Sequence, residues 1–251
     1  MRALETARDG GLFSDPFAAA FVEAAGGAAD ATTPPSPQRR ALAFQVRVRT
    51  RYYDEFLLAA TTQHGCRQVV VLAAGLDARA YRLPWPPGTH LFELELPAVL
   101  AMKDEVLGRL AATPTCTRTA VPVDLRDDWA GALTLAGFDS TVPTAWLVEG
   151  LLVYLDPTDA DRLFSTVTSL AAPGSRIACE RGSATSRVEA PDTESVTRLW
   201  QGGLQDGAAT WLHANGWESE IDRLDDVATR YGRPPSRPTE GGFVRGVRRA
   251  G

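Results

Sequence analysis

Three cysteines, three histidines and a single lysine, Lys103, are few for a chain of 251 residues, and each scarcity removes a chemistry. Cys66, Cys116 and Cys179 are odd in number and far apart. That argues against a disulfide framework, fits a reduced compartment, and predicts that most of the thiols are buried as small hydrophobes. Of His64, His90 and His213, only His64 lies near a cysteine, without the paired spacing of a zinc site, so no metal is expected. The chain has no G-x-S-x-G, no G-x-x-x-x-G-K-[ST] and no G-x-G-x-x-G, which lowers the standing of serine hydrolases, P-loop NTPases and ordinary NAD enzymes. No apolar run approaches the roughly 20 residues of a membrane helix, and residues 1–11 do not resemble a secretion signal. The expectation is a cytoplasmic protein without a membrane partner. Acidic residues outnumber basic ones by 31 to 26, a net charge of −5, which disfavours a nucleic-acid partner. With 44% hydrophobic residues the chain can bury a full core, and small-molecule chemistry is the better expectation.

Two helical patterns open the chain. Phe17, Phe21 and Val22 recur at helical spacing over Phe17 to Ala25, with Ser14 or Asp15 as cap and Pro16 in the first turn. After a Gly/Ala/Pro-rich break, Gln38 to His64 places Leu42, Val46, Arg49, Tyr53, Phe56 and Leu57 roughly on one face. These helices read as a cap (1–66) on a core (67–251), within one domain. From Gln68 onward, apolar runs alternate with helical ones: Val69 to Ala74, His90 to Leu94, Arg118 to Val123, Ala145 to Glu149 and Arg176 to Cys179. The intervening helices are Ala98 to Leu110, Trp129 to Ala136 and Asp159 to Leu170. This alternation is that of an α/β, doubly wound parallel sheet, whose ligands sit beyond the carboxyl ends of the strands.

The strand ends are therefore the positions to read. The first run ends at Gly75, and Glu95 follows about 20 residues later, where an acid can accept both hydroxyls of a ribose. Gly75 alone is equally a tight-turn glycine. Glu93 shares the strand parity of Glu95, and one of the two could instead pair with Arg82 or Lys103. The third run ends in Asp124-Leu125-Arg126 and the fourth in Glu149-Gly150.

The fragments VVVLAAGLDARAYRL, FELELPAVLAMK, VPVDLR and WLVEGLLVYL resemble the leucine carboxyl methyltransferase family and its actinobacterial branch of S-adenosylmethionine-dependent methyltransferases. The similarity runs from LFSDPFAAAF through VRTRYYDEFLL to WLHANGW and RYGRP, nearly the whole chain. It implies a class I methyltransferase Rossmann-like sheet of seven strands, the last antiparallel and supplied by Gly242 to Val247, with an N-terminal helical cap. It implies S-adenosyl-L-methionine as cofactor. Gly75 would admit it closely, Glu95 would take the ribose, Asp124 and Leu125 would flank the adenine, and Arg49 and Glu149 would hold the methionine end. Arg126 and Tyr154 match the residues beside the acceptor. Without the resemblance, Arg126 reads as a surface arginine paired with Asp127 or Asp128, and Tyr154 as a core aromatic.

The chain departs from the family pattern in three places. Glu95 stands where the family has Asp, Ala73 replaces the first glycine of the loop, and Leu96 replaces a polar residue. The polar segment Arg181 to Gln205 falls where methyltransferases vary their acceptor pocket. A carboxylate acceptor requires no general base, whereas a phenol or alcohol would call on His213, otherwise a surface histidine. The resemblance, and an Arg-rich composition typical of high-GC actinobacteria, favour O-methylation of a small-molecule acceptor of the secondary-metabolite type. The alternative is a cofactor-binding protein that does not methylate, whether a pocket-shaping cyclase or a silent interaction protein.

Overall fold

The computed structural model describes residues 1–27, 36–181, 203–204, 207–236, 238–239 and 241–250. Among these, seven strands form one sheet: β1 Gln68–Leu72, β2 His90–Glu95, β3 Thr117–Pro122, β4 Thr144–Val148, β5 Arg176–Glu180, β6 Trp217–Arg223 and β7 Gly242–Arg248. Their order is β3-β2-β1-β4-β5-β7-β6, and β7 runs antiparallel to both its neighbours. The five runs read from the sequence are β1 to β5, with ends shifted by one or two residues, and all five are parallel. The chain winds outward through β2 and β3 on one side of β1 and through β4 and β5 on the other. This places the topological switch between β1 and β4.

Alternation along the strands divides the core into two layers. Val69, Val71, Ala145, Leu147, Ala178 and Phe243 pack beneath α3 (Pro37–Thr62), together with its Val48, Tyr52, Tyr53, Phe56, Leu57 and Ala60. Val70, Leu72, Trp146, Val148, Ile177, Cys179 and Val244 face the other way, toward α6 (Trp129–Leu135), α7 (Pro157–Leu170) and α8 (Ala208–Ala214). The second helix expected from the sequence is thus α3, started by Ser36, whose Oγ accepts from Arg39 N, with Pro37 in the first turn. Leu42, assigned to its buried face, is exposed. A helix of 26 residues is roughly 39 Å long, whereas a five-residue strand spans roughly 17 Å, so the first turns of α3 overhang the sheet.

One other reading is corrected, and three elements are not legible in the sequence. α2 (Ala18–Ala24) has Phe17 at its cap position and no side-chain cap. Asp15, expected to cap it, is buried instead, 3.4 Å from Arg2 Nη1 in α1 (Arg2–Thr6), with Oδ1 accepting from Phe17 N. β6 was not among the strand runs, because Trp217-Glu218-Ser219-Glu220-Ile221-Asp222-Arg223 is an edge strand whose exposed residues, Ile221 apart, are charged. α4 (Arg79–Arg82) and α9 (Leu224–Arg230) are too short to declare themselves by periodicity. No helix among the described residues is long and apolar enough to cross a membrane.

Candidate active site

The loop leaving β1 is built tightly. Ala73 and Gly75 both take left-handed backbone, with φ of +52° and +48°. For alanine that conformation costs roughly 1–2 kcal/mol, so the strain falls where the family pattern has glycine. A Cβ on Gly75 would meet nothing nearer than Ala73 O at 4.0 Å, leaving that side of the loop open to a ligand. Glu95, at the end of neighbouring β2, reaches back to the loop that leaves β1. Its Oε2 accepts from Gly75 N at 2.8 Å and its Oε1 from Leu96 N at 2.7 Å. A carboxylate has about four acceptor positions, so this double anchoring leaves one lone pair on each oxygen for a vicinal diol. The added methylene, relative to aspartate, lets the side chain reach the Gly75 amide. Arg2 Nη2 donates to Leu76 O at 2.6 Å and ties the N-terminal helix to the same loop.

Beyond the loop lies a network of charges on five elements. Arg49, half-buried in α3, has Nε 2.8 Å from Glu149 Oε1 without hydrogen-bond alignment, and its Nη1 donates to Glu180 Oε1 at 3.1 Å. Arg79, buried at the start of α4, has Nη1 2.7 Å from Glu149 Oε2, pairs with Asp77 through the same nitrogen, and donates from Nε to Asp54 Oδ1 at 2.7 Å. Arg82 closes on both oxygens of Asp54 at 2.6 Å. Gly150 N donates to Glu180 Oε1 at 2.6 Å, which joins the ends of β4 and β5. Burial opposes every charge here, and the partners decide each outcome. Burial pushes the Asp77 carboxyl up, but Arg79, Lys103 and Arg82 hold it at about 2. Glu149 is likewise raised by burial and brought below the usual range by Arg79 and Arg49. Glu180 remains above its ordinary value, because burial and Glu149 outweigh Arg49. Among the described residues its Oε2 is buried without a hydrogen-bond partner, as is Tyr53 Oη one turn along α3 from Arg49.

A second buried group continues the network toward β3. Lys103 Nζ lies 2.8 Å from Glu93 Oε2, and Arg118 Nη2 lies 2.7 Å from the same oxygen. So of the two glutamates on β2, Glu93 takes the ionic partner and Glu95 is left to the loop; Arg82 belongs to Asp54.

The acceptor-side residues lie differently. Asp124 grips Arg126 bidentately, with Arg126 Nε at 3.0 and 3.1 Å and Nη2 at 2.5 Å. The arginine's partner is therefore Asp124 and not Asp127 or Asp128, and its side chain is 72% exposed. Leu125 is half-buried against the second core layer. Tyr154 ends the short 3-10 turn Leu152–Tyr154 and is exposed, so it is not a core aromatic. His213 is exposed on α8, while His64 precedes β1 and His90 begins β2, at the amino ends of the strands. The segment expected to shape acceptor specificity, Arg181 to Gln205, falls mostly outside the described residues. Among the described residues no cluster of His, Cys, Asp and Glu could hold a metal ion.

The structure thus joins Gly75 with Glu95, and Arg49 with Glu149, at the carboxyl ends of β1, β2 and β4. It also adds Asp54, Asp77, Arg79, Arg82 and Glu180, which sequence reasoning did not select. Glu180 ends the fifth strand and was within reach of the strand-end rule that picked out Glu95, Asp124 and Glu149.

The leucine carboxyl methyltransferase family matches residues 1–168. The chain belongs to that family. A protein of Parafrankia sp., 46% identical over all of this chain and 85% of its own length, is provisionally named an S-adenosyl-L-methionine-dependent methyltransferase. A Streptomyces coelicolor protein given the same provisional name is 41% identical, over 99% of this chain and 92% of its own. Two crystal structures share the fold, which is that of class I methyltransferases. One is a DUF574 family protein from Streptomyces avermitilis (TM-score 0.54, 16% identity, 91% of this chain and 95% of that one). The other is the magnesium protoporphyrin IX methyltransferase of Synechocystis with bound SAH (TM-score 0.53, 13% identity, 92% and 93%).

Proposed function

We propose that this chain, an S-adenosyl-L-methionine-dependent methyltransferase of the leucine carboxyl methyltransferase family, methylates a carboxylate of a small-molecule acceptor. The observation that carries the donor assignment is the doubly anchored Glu95 carboxylate across the Gly75 loop, with the Arg49–Glu149 pair at the adjoining strand end. Glu95 accepts the ribose hydroxyls on its two free lone pairs. Asp124 and Leu125 border the adenine, Asp124 turning part of its carboxylate from Arg126 to the exocyclic amine. Arg49 binds the methionine carboxylate, and Glu149 faces its ammonium. S-adenosylmethionine supplies a methyl group already activated by a sulfonium leaving group, which an acceptor oxygen attacks in line.

The protein's part is then alignment, which can supply roughly 7–11 kcal/mol at best. A carboxylate acceptor is supported by two features of the site. Arg126 presents an exposed guanidinium beside Asp124 and Tyr154 an exposed hydroxyl, donors suited to orienting a carboxylate. The three histidines all stand away from the carboxyl ends of β1 to β5, so the expected general base for an alcohol or phenol is not positioned there. A carboxylate is ionised at neutral pH and requires none.

The test is incubation with methyl-labelled S-adenosylmethionine and a fractionated small-molecule extract, followed by mild base. A carboxyl methyl ester releases its label as methanol, and Arg126→Gln should lower that release without changing donor affinity by more than about twofold. Label in base-stable products would refute the carboxylate assignment. Donor binding without any labelled product would favour the non-methylating alternative.

A further inference from the structure

We propose that Glu180 sets the preference of this site for the cationic methyl donor over its neutral, demethylated product. The inference rests on the donor reading above and concerns the charge balance of the network. Among the described residues, Arg49, Arg79 and Arg82 face Asp54, Asp77, Glu149 and Glu180, three cations against four anions. The adjoining Lys103 and Arg118, with Glu93 and Asp104, add two of each sign and leave the excess unchanged. S-adenosylmethionine brings an ammonium, a sulfonium and a carboxylate, hence one net positive charge. Its demethylated product retains the ammonium and carboxylate alone and is neutral. One negative charge in excess is therefore cancelled by the donor and left uncancelled by the product.

The contacts locate that excess. Asp54 meets two arginines, Asp77 is paired with Arg79, and Glu149 has a guanidinium at each oxygen. Among the described residues, Glu180 alone of the four is held through one oxygen, Oε1, shared between Arg49 and Gly150 N, while Oε2 is buried with no partner there. A buried carboxylate oxygen left unpaired is costly, and a cation brought beside it removes that cost. Glu180 stands on β5 next to β4, whose end carries Glu149, so the two carboxylates flank Arg49 where the methionine end of the donor is bound. The elevated pKa of Glu180 agrees with an under-neutralised position. Once the methyl group has left, Glu180 regains its unpaired oxygen, which favours release of the product.

Calorimetric titration of the full chain with S-adenosylmethionine and, separately, S-adenosylhomocysteine tests this. The wild type should bind the donor more tightly. Glu180→Gln should weaken donor binding by roughly 10- to 100-fold and product binding by less than about threefold, so the ratio collapses. Glu180→Asp, which keeps the charge, should preserve the ratio. An unchanged ratio in the glutamine variant, or an equal fall in the aspartate variant, overturns the proposal while leaving the donor reading intact. Sinefungin, whose ammonium replaces the methylsulfonium, provides an arm independent of any variant's folding. It should bind the wild type more tightly than the neutral product, and equal or weaker binding counts against Glu180. A wild type that binds none of the three overturns the donor reading itself.

Discussion

Replacing Arg79 by Met tests whether the buried network is held together by its central cation. Arg79 is 2% exposed and serves Asp54, Asp77 and Glu149 at once. Methionine preserves much of the apolar stem and removes the charge. Two of the three carboxylates keep a guanidinium, since Arg82 remains on Asp54 and Arg49 on Glu149. Asp77 loses its paired arginine. Breaking a buried pair by removing one partner costs roughly 3–5 kcal/mol. For a chain of this size that lowers the melting temperature by roughly 6–20 °C at neutral pH. The pH dependence identifies the cause. In the wild type Asp77 is held at about 2, below its ordinary 3.8, so its contribution of about 2 kcal/mol is full above pH 3.8 and is lost as the pH falls through 2. In the variant, burial without Arg79 moves the same carboxyl upward, so protonation stabilises the fold as the pH falls. The difference in melting temperature between variant and wild type should be widest near pH 7 and narrow toward pH 4. Differential scanning fluorimetry across that range reads it directly, and a gap that stays constant with pH, or is below about 1 kcal/mol, would refute the account.

Ala73→Gly should relieve the left-handed strain at φ +52°, worth roughly 1–2 kcal/mol, against roughly 0.4–1 kcal/mol of added unfolded-chain entropy. The expected result is a stability between unchanged and about 1.6 kcal/mol higher by chemical denaturation, and a loss of more than about 1 kcal/mol would contradict it. Glu95→Ala removes the proposed diol acceptor and should weaken donor binding by roughly 10- to 100-fold in calorimetry, corresponding to roughly 1.5–3 kcal/mol; a change under threefold would remove Glu95 from the site. Burial pushes the Cys66 and Cys116 thiols up to about 11 and raises the Cys179 thiol as well, so all three should resist iodoacetamide at pH 7.5 in the native state. Rapid alkylation of Cys66 or Cys179 by mass spectrometry would show that the core opens there.

The central strands were legible because a parallel sheet covered on both faces demands near-continuous apolar runs, and Val69 to Leu72 and Ala145 to Val148 supply them. The edge strand β6 was not, since half of what an edge presents is solvent-facing and its residues look like a loop. Gly75, Glu95, Arg49 and Glu149 could be nominated from strand ends and family fragments, because chain direction alone fixes which end of a parallel strand carries a site. Pairing was a different matter. Arg49 and Glu149 are 100 positions apart, Arg79 reaches carboxylates both before and after it in the chain, and Glu180 acquires its meaning only beside Arg49 and Gly150. Local pattern reports which residues are apolar, capped or strained, since those preferences act over a few bonds. Which buried charge neutralises which, and where one is left over, depends on the order in which the strands lie side by side, and that order was settled by the packing of the sheet.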